Sequence, residues 1–192
     1  MRRFGGFLLA VLALLSAACS AEEAFVFENG VGWPLAADEV EALLPNGYER
    51  MNYEMGFGSL TLMLAQNEAH FEHAAEKTEY MFFDGELISI CCYYLEKDAP
   101  DAQSLIDAVS RVYGAPKTYA EDEWTLNGFI SNTRTWCSWN PDSVTEVSLN
   151  EPLDDYPYQY YIVFVNQPAM KAFEKASIEW YDSEDAGIQG EE

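Results

Sequence analysis

Basic side chains are scarce in this chain: ten lysines and arginines stand against 33 aspartates and glutamates, a formal net charge of −23. A shortage of that size excludes the phosphate-backbone contacts on which nucleic-acid binding rests, and it works against adsorption to anionic headgroups. Histidine is scarcer still. His70 and His73 are the only two, so acid–base chemistry at neutral pH has little to draw on. There is no Asp-x-Asp-x-Asn-Gly calcium loop, no glycine-rich phosphate loop and no Gly-x-Ser-x-Gly elbow. The apolar run Phe7–Leu15 falls far short of the roughly 20 residues a membrane-spanning helix needs.

That short run has a different meaning in its setting. Arg2 and Arg3 precede it, the small residues Ser16-Ala17-Ala18-Cys19-Ser20-Ala21 follow it, and Glu22-Glu23 come next. Basic start, short apolar run and small-residue exit are the layout of a bacterial export signal. The spacing predicts an extracytoplasmic protein with residues 1–21 as the signal. Cleavage after Ala21 or Ala18 leaves a soluble secreted chain. The rival exit makes Cys19 a lipidated first residue. Ser-Ala-Ala-Cys resembles a lipobox, although Leu15 lies one residue further from the cysteine than that pattern wants. The membrane contact predicted is therefore none, or a lipid anchor alone, and stable anchoring needs more than one acyl chain.

About 170 residues remain after the signal, enough for a single domain with a sizeable core. With 49% apolar and 15% aromatic residues, the chain is composed to fold. Arg2 and Arg3 leave with the signal, so eight basic residues face 33 acids in the mature chain, a net −25. Such a field favours basic partners or cations, while the scattering of the acids along the chain is what a solubilising surface requires. Cys91, Cys92 and Cys137 remain. Export permits one bridge among them. Neighbours on a strand point to opposite faces, so at most one of Cys91 and Cys92 can meet Cys137. Alternatively all three are small buried hydrophobes. Their spacing assigns no metal or redox role.

Periodicity places a short helix over Ala36–Leu44, stopped by Pro45 and Gly47. Strands follow at Phe57–Gln66 and Thr78–Phe83, separated by the polar stretch Asn67–Lys77, and then at Leu87–Leu95 across an Asp84-Gly85 hairpin turn. A second helix, Asp98–Gly114, has Asp98 as N-cap and Pro100 in its first turn, with Ala102, Leu105, Ile106, Val109, Val112 and Tyr113 as its apolar stripe. Lys117–Leu126, Phe129–Trp139, Val144–Leu149 and Tyr158–Val165 read as strands, with turns at Asn127-Gly128 and Pro141-Asp142. A closing helix spans Pro168–Tyr181. The domain is predicted over residues 22–181, and the acidic tail 182–192 is predicted to be disordered. Helices segregated from hairpin-linked strands imply an α+β fold with an antiparallel sheet packed by helices. Leu35–Leu95 and Pro100–Val165 read as two loose copies of one helix-plus-strands repeat.

Three local patterns carry a family resemblance. Gly32-Trp33 leading into Asp38-Glu39-Val40, the run Tyr80-Met81-Phe82-Phe83-Asp84-Gly85-Glu86-Leu87, and Val112-Tyr113-Gly114-Ala115-Pro116 resemble the β-lactamase inhibitory proteins and the outer-membrane assembly lipoprotein E. The resemblance covers Gly32–Pro116 and rests on hairpin and helix-end signals. It implies a helix-plus-antiparallel-sheet module, sometimes in tandem, that binds other proteins and catalyses nothing. The polar insert Asn67–Lys77 and the acidic composition depart from the group and leave the partner open.

Candidate chemistry is thin. Glu68-Ala-His70-Phe-Glu72-His73 has ligand types for a divalent metal, but two histidines three apart suit a helix only loosely and face opposite ways on a strand. The stretch is read as a solvent-facing polar loop, and no metal, cofactor or catalytic residue is assigned. Glu121-Asp122-Glu123 and Asp154-Asp155 are read as solvated turns. Aromatics are the better candidates for ligand contact: Trp33, Trp124, Trp136 and Trp139 with Tyr156, Tyr158, Tyr160 and Tyr161 can make a platform for protein or sugar. The alternative is that they fill the core. Trp136 and Trp139 lie an odd number apart on one strand, so they are expected on opposite faces. The chain is thus expected to be a noncatalytic binding module at the bacterial cell surface. A protein partner comes first, a carbohydrate or cell-wall ligand second and a hydrolase third.

Overall fold

Two four-strand meanders, each preceded by a helix, meet at their last strands. The computed structural model describes residues 25–44, 47–95, 97, 99–118, 133–152 and 157–188. In chain order the elements are α1 (Ala37–Glu41), β1 (Glu49–Met55), β2 (Gly58–Gln66), β3 (Ala69–His70), β4 (His73–Ala74), β5 (Lys77–Phe83), β6 (Glu86–Leu95), α2 (Ala102–Tyr113), β7 (Lys117–Thr118), β8 (Thr133–Trp139), β9 (Thr145–Pro152), β10 (Tyr158–Asn166) and α3 (Gln167–Ile188). The main sheet runs β1-β2-β5-β6-β10-β9-β8-β7, every pair antiparallel, and β3-β4 form a separate small hairpin. This is the α+β architecture with an antiparallel sheet that the alternation of elements implies. It also has the form of a repeat, since each half is a helix followed by a four-strand meander and the fourth strands pair at the centre.

Local chemistry explains the turns and caps. Asp84 and Gly85 both take positive φ, 48° and 85°, as a two-residue hairpin turn demands. The Asp84 carboxylate also accepts from the Ser59 N–H at 2.8 Å. At the Pro141-Asp142 turn, the Asp142 carboxylate accepts from the N–H groups of Val144 and Thr145 at 2.8 and 2.6 Å. Helix α2 begins later than its sequence suggests. Asp101 is its N-cap, accepting from the Ser104 N–H at 3.0 Å, which leaves Pro100 before the helix; Asp98 lies outside the described residues.

The two faces of the sheet are covered differently. On one face, α1, α2 and the segment Phe25–Trp33 enclose the main core, which holds Tyr80, Phe82, Leu87, Ile90, Leu149, Ile162 and Phe164. Ala102, Leu105 and Val109 of the predicted stripe are buried there with Ala108 beside them, and Ile106 and Tyr113 are partly buried. Val112 departs from it: the side chain is 53% exposed, because the neighbouring Tyr113 ring takes the inward place against Phe25, Phe71 and Phe164. On the other face α3 packs Ala169, Met170, Phe173 and Ala176 over Met81, Phe83 and Ile88. This helix continues to Ile188, seven residues beyond the expected end, so the segment read as a disordered tail from Asp182 is helical at its start.

Two elements escaped the sequence reading. Strand β1 has almost no buried residue; its pairing with β2 holds it, and Arg50 ties it to α1 through Asp38 and Glu41 at 2.8 and 2.9 Å. The hairpin β3–β4 lies inside the stretch expected to be a solvent-facing loop. Its turn residues Phe71 and Glu72 have φ of 53° and 66°, a conformation that costs residues other than glycine roughly 1 kcal/mol or more. Burial of the Phe71 ring, stacked on Phe164 at 5.7 Å, and donation of its N–H to the Glu28 carboxylate at 2.7 Å offset that strain.

Candidate functional site

The sheet face under α3 carries large residues beneath the first half of the helix and small ones beside it. Strand registers align Glu79 of β5, Cys91 of β6, Val163 of β10 and Ser148 of β9 in one row. Met81, Ser89, Val165 and Glu146 form the next row in the same way, and Lys77, Tyr93, Tyr161 and Asn150 the row on the other side. Met81 and Phe83 seat the helix. Cys91, Ser89, Ser148 and Val163 are too small to reach it, and a cleft of about 400 Å³ opens between sheet and helix. Ser89, Cys91, Val163 and Ser148 make its floor, Tyr93 and Tyr161 one wall, and Met170, Lys171, Glu174 and Ser177 of α3 the other, with Glu79 and Glu146 at the two ends. That volume is in the range of small-ligand sites.

Charges at the two ends are handled differently. Near Glu79, the Lys77 ammonium lies 3.5 Å from the carboxylate and 4.2 Å from the centre of the Tyr93 ring, a cation–π contact. At the far end the Glu146 carboxylate accepts from the Gln167 side-chain amide at 2.7 Å, and among the described residues it makes no ion pair. Tyr93 packs against Tyr158 and Tyr161 at 4.8 and 6.0 Å, and the Tyr161 hydroxyl donates to Thr133 Oγ1 at 3.1 Å. Burial pushes the Cys91 thiol well above its ordinary range, only partly opposed by a hydrogen bond from Tyr93, so the floor sulfur behaves as an apolar group.

A second polar constellation sits inside the main core and corrects the loop assigned to His70. The imidazole is 2% exposed, packed on Phe27 at 4.7 Å. Its Nε2 lies 3.0 Å from Thr78 Oγ1 and 3.3 Å from the Glu68 carboxylate, while Nδ1 faces Glu28 at 3.9 Å. The Tyr80 hydroxyl donates to Glu68 at 3.0 Å and accepts from the Asn29 amide at 2.6 Å. Burial pushes the Glu68 carboxyl up, but His70, Tyr80 and Thr78 together outweigh it and hold the group below its ordinary value. The hairpin turn swings His70 inward with Phe71; His73, its cross-strand partner, is half-buried. Among the described residues no three His, Cys, Asp or Glu side chains are placed to hold a metal ion.

Among the described residues the candidate aromatics do not assemble into one platform. Trp33 and Trp139 are core residues, 6% and 2% exposed, with indole N–H groups donating to Thr145 Oγ1 at 2.7 Å and the Gly114 carbonyl at 3.1 Å. Trp136 is half-buried on the same face as Trp139, against the predicted opposition, because a bulge between Thr135 and Cys137 shifts the alternation by one residue. Its indole donates to Glu151 at 3.0 Å under the Arg134 guanidinium. Tyr158 stands on the other face, with Tyr93. Trp124, Tyr156, the Asn127-Gly128 turn, Glu121–Glu123, Asp154-Asp155 and the whole signal with Cys19 lie outside the described residues.

All three downstream cysteines are free and buried, with Cys92 and Cys137 in the main core and Cys91 on the opposite face. The cleft has only a faint mark in the sequence: Ser89 and Cys91 at alternate positions of a strand otherwise rich in large residues. Comparison with protein families, with curated proteins and with solved structures finds no match to this chain.

Proposed function

We propose that the mature chain is a noncatalytic extracytoplasmic binding module that holds a segment of another protein in the cleft beside α3. The observation that carries the reading is the cleft: a floor of small side chains, one aromatic wall and carboxylate ends suit a protein segment. Burial lifts the Cys137 thiol to about 12 and Cys91 and Cys92 as well, away from reactivity. His70 is engaged in the core. The resemblance to the β-lactamase inhibitory protein group favours the same reading, and the export-signal layout of residues 1–21 supports a partner in the cell envelope. A carbohydrate ligand ranks second, because Trp33 and Trp139, the natural stacking surfaces, are spent in the core.

Capture of partners from native envelope extract by the full mature chain, with mass spectrometry, tests this against Ser177→Trp, which fills the cleft from the helix side. Loss of a captured protein by the variant, with unchanged circular dichroism, is the expected result. Equal capture by both chains overturns the role of the cleft.

A further inference from the structure

Resting on that reading, we propose that the cleft takes the side chain of a lysine or arginine from the partner protein, its aliphatic stem on the floor and its charged head at Glu146. Shape comes first. The floor across β6, β10 and β9 has an apolar strip of Cys91 and Val163 flanked by the small hydroxyls of Ser89 and Ser148, and it leads to a carboxylate end. A long side chain that is apolar along its stem and charged at its tip matches that gradient.

Charge then distinguishes the two ends. Glu79 is already served by Lys77 at 3.5 Å, whereas among the described residues Glu146 is held only by the neutral amide of Gln167 at 2.7 Å. A carboxylate retains acceptor capacity after one such bond, and an ammonium or guanidinium would meet it with a charge-assisted one. Lys171 also lines the cleft, but Glu174 stands on the same wall, so the lining stays acidic. A wholly apolar occupant would cover Glu146 without a counter-charge, and an anionic one would oppose it; both are penalised. The net charge of the mature chain draws basic segments toward the site from a distance.

The test uses the full mature chain and acetylated, amidated pentapeptides Gly-Val-X-Val-Gly, with X as Arg, Lys, norleucine or Glu, followed by NMR titration. The Arg and Lys peptides should give saturable shifts at Cys91, Ser148 and Val163, with the norleucine peptide weaker by about tenfold and the Glu peptide silent. Glu146→Gln, which keeps size and an acceptor for Gln167, should bring the Lys peptide down to the norleucine level. Equal binding of Lys and norleucine peptides, or a Lys affinity unchanged in Glu146→Gln, overturns the charge recognition while leaving the cleft as a binding site. Absence of shifts from every peptide overturns the basic occupant; loss of envelope capture in Ser177→Trp would then still support the cleft, and retained capture would remove both readings.

Discussion

Both ring nitrogens of His70 face carboxylates, Glu68 at 3.3 Å and Glu28 at 3.9 Å, and the ring is enclosed by Phe27 and Thr78. Its removal therefore differs from the loss of a surface residue. His70→Ala leaves a cavity beside Phe27 and takes a hydrogen-bond partner from Thr78 and Glu68, a cost of about 2–4 kcal/mol at neutral pH. The acid limb should change as well. In the wild type Glu68 is held below its ordinary value of 4.5, so its contribution is present above that value and is lost as pH falls through the lowered one. Without His70 the burial that raises the carboxyl is less opposed, and the same contribution disappears at higher pH. Urea midpoints measured from neutral to acid pH check both parts. A midpoint shift worth less than about 0.5 kcal/mol, the range of surface substitutions, would show that the network does not hold the hairpin down.

At the scale of elements, the α2 stripe separates positions that look alike in sequence. Leu105 is fully buried and Val112 is 53% exposed, so Leu105→Ala should cost about 2–5 kcal/mol and Val112→Ala well under 1; chemical denaturation of the two variants measures the contrast, and equal costs would contradict the packing of the helix. Elements with a buried face or a chemically specific turn were legible: β5 and β6 through Asp84-Gly85, α2 through its stripe, β10 through its apolar run. What was illegible lacked one of those signals. Strand β1 buries neither face, so its Met51, Tyr53 and Met55 alternation had no core to announce. Hairpin β3–β4 turns on Phe71 and Glu72, which are not turn formers, and the cost is met by tertiary contacts that no local pattern encodes. The bulge in β8 inverted the expected side of Trp136. The cleft was harder still, because it depends on which residues from four strands fall into one register row.

For the whole molecule, a repeated topology and an asymmetry act together. Both halves put their helices on one face of the sheet, which leaves the other face to α3, an element without a counterpart between the halves among the described residues; the cleft exists because that single helix covers only part of an eight-stranded sheet. Access to such a site from envelope proteins requires that the first 21 residues do what their layout implies. Arg2 and Arg3, the short run Phe7–Leu15 and the small-residue exit predict that the intact mass of protein from the native envelope begins at Glu22, at Cys19 or at a near neighbour. A start at Cys19 carrying diacylglycerol tethers the cleft to a membrane surface, and a start at Glu22 releases it. Their masses differ by both the lipid and three residues, so one spectrum separates them. Recovery of a chain that retains Met1 and the whole apolar run would refute export, and with it the cell envelope as the place where the acidic cleft meets a basic partner.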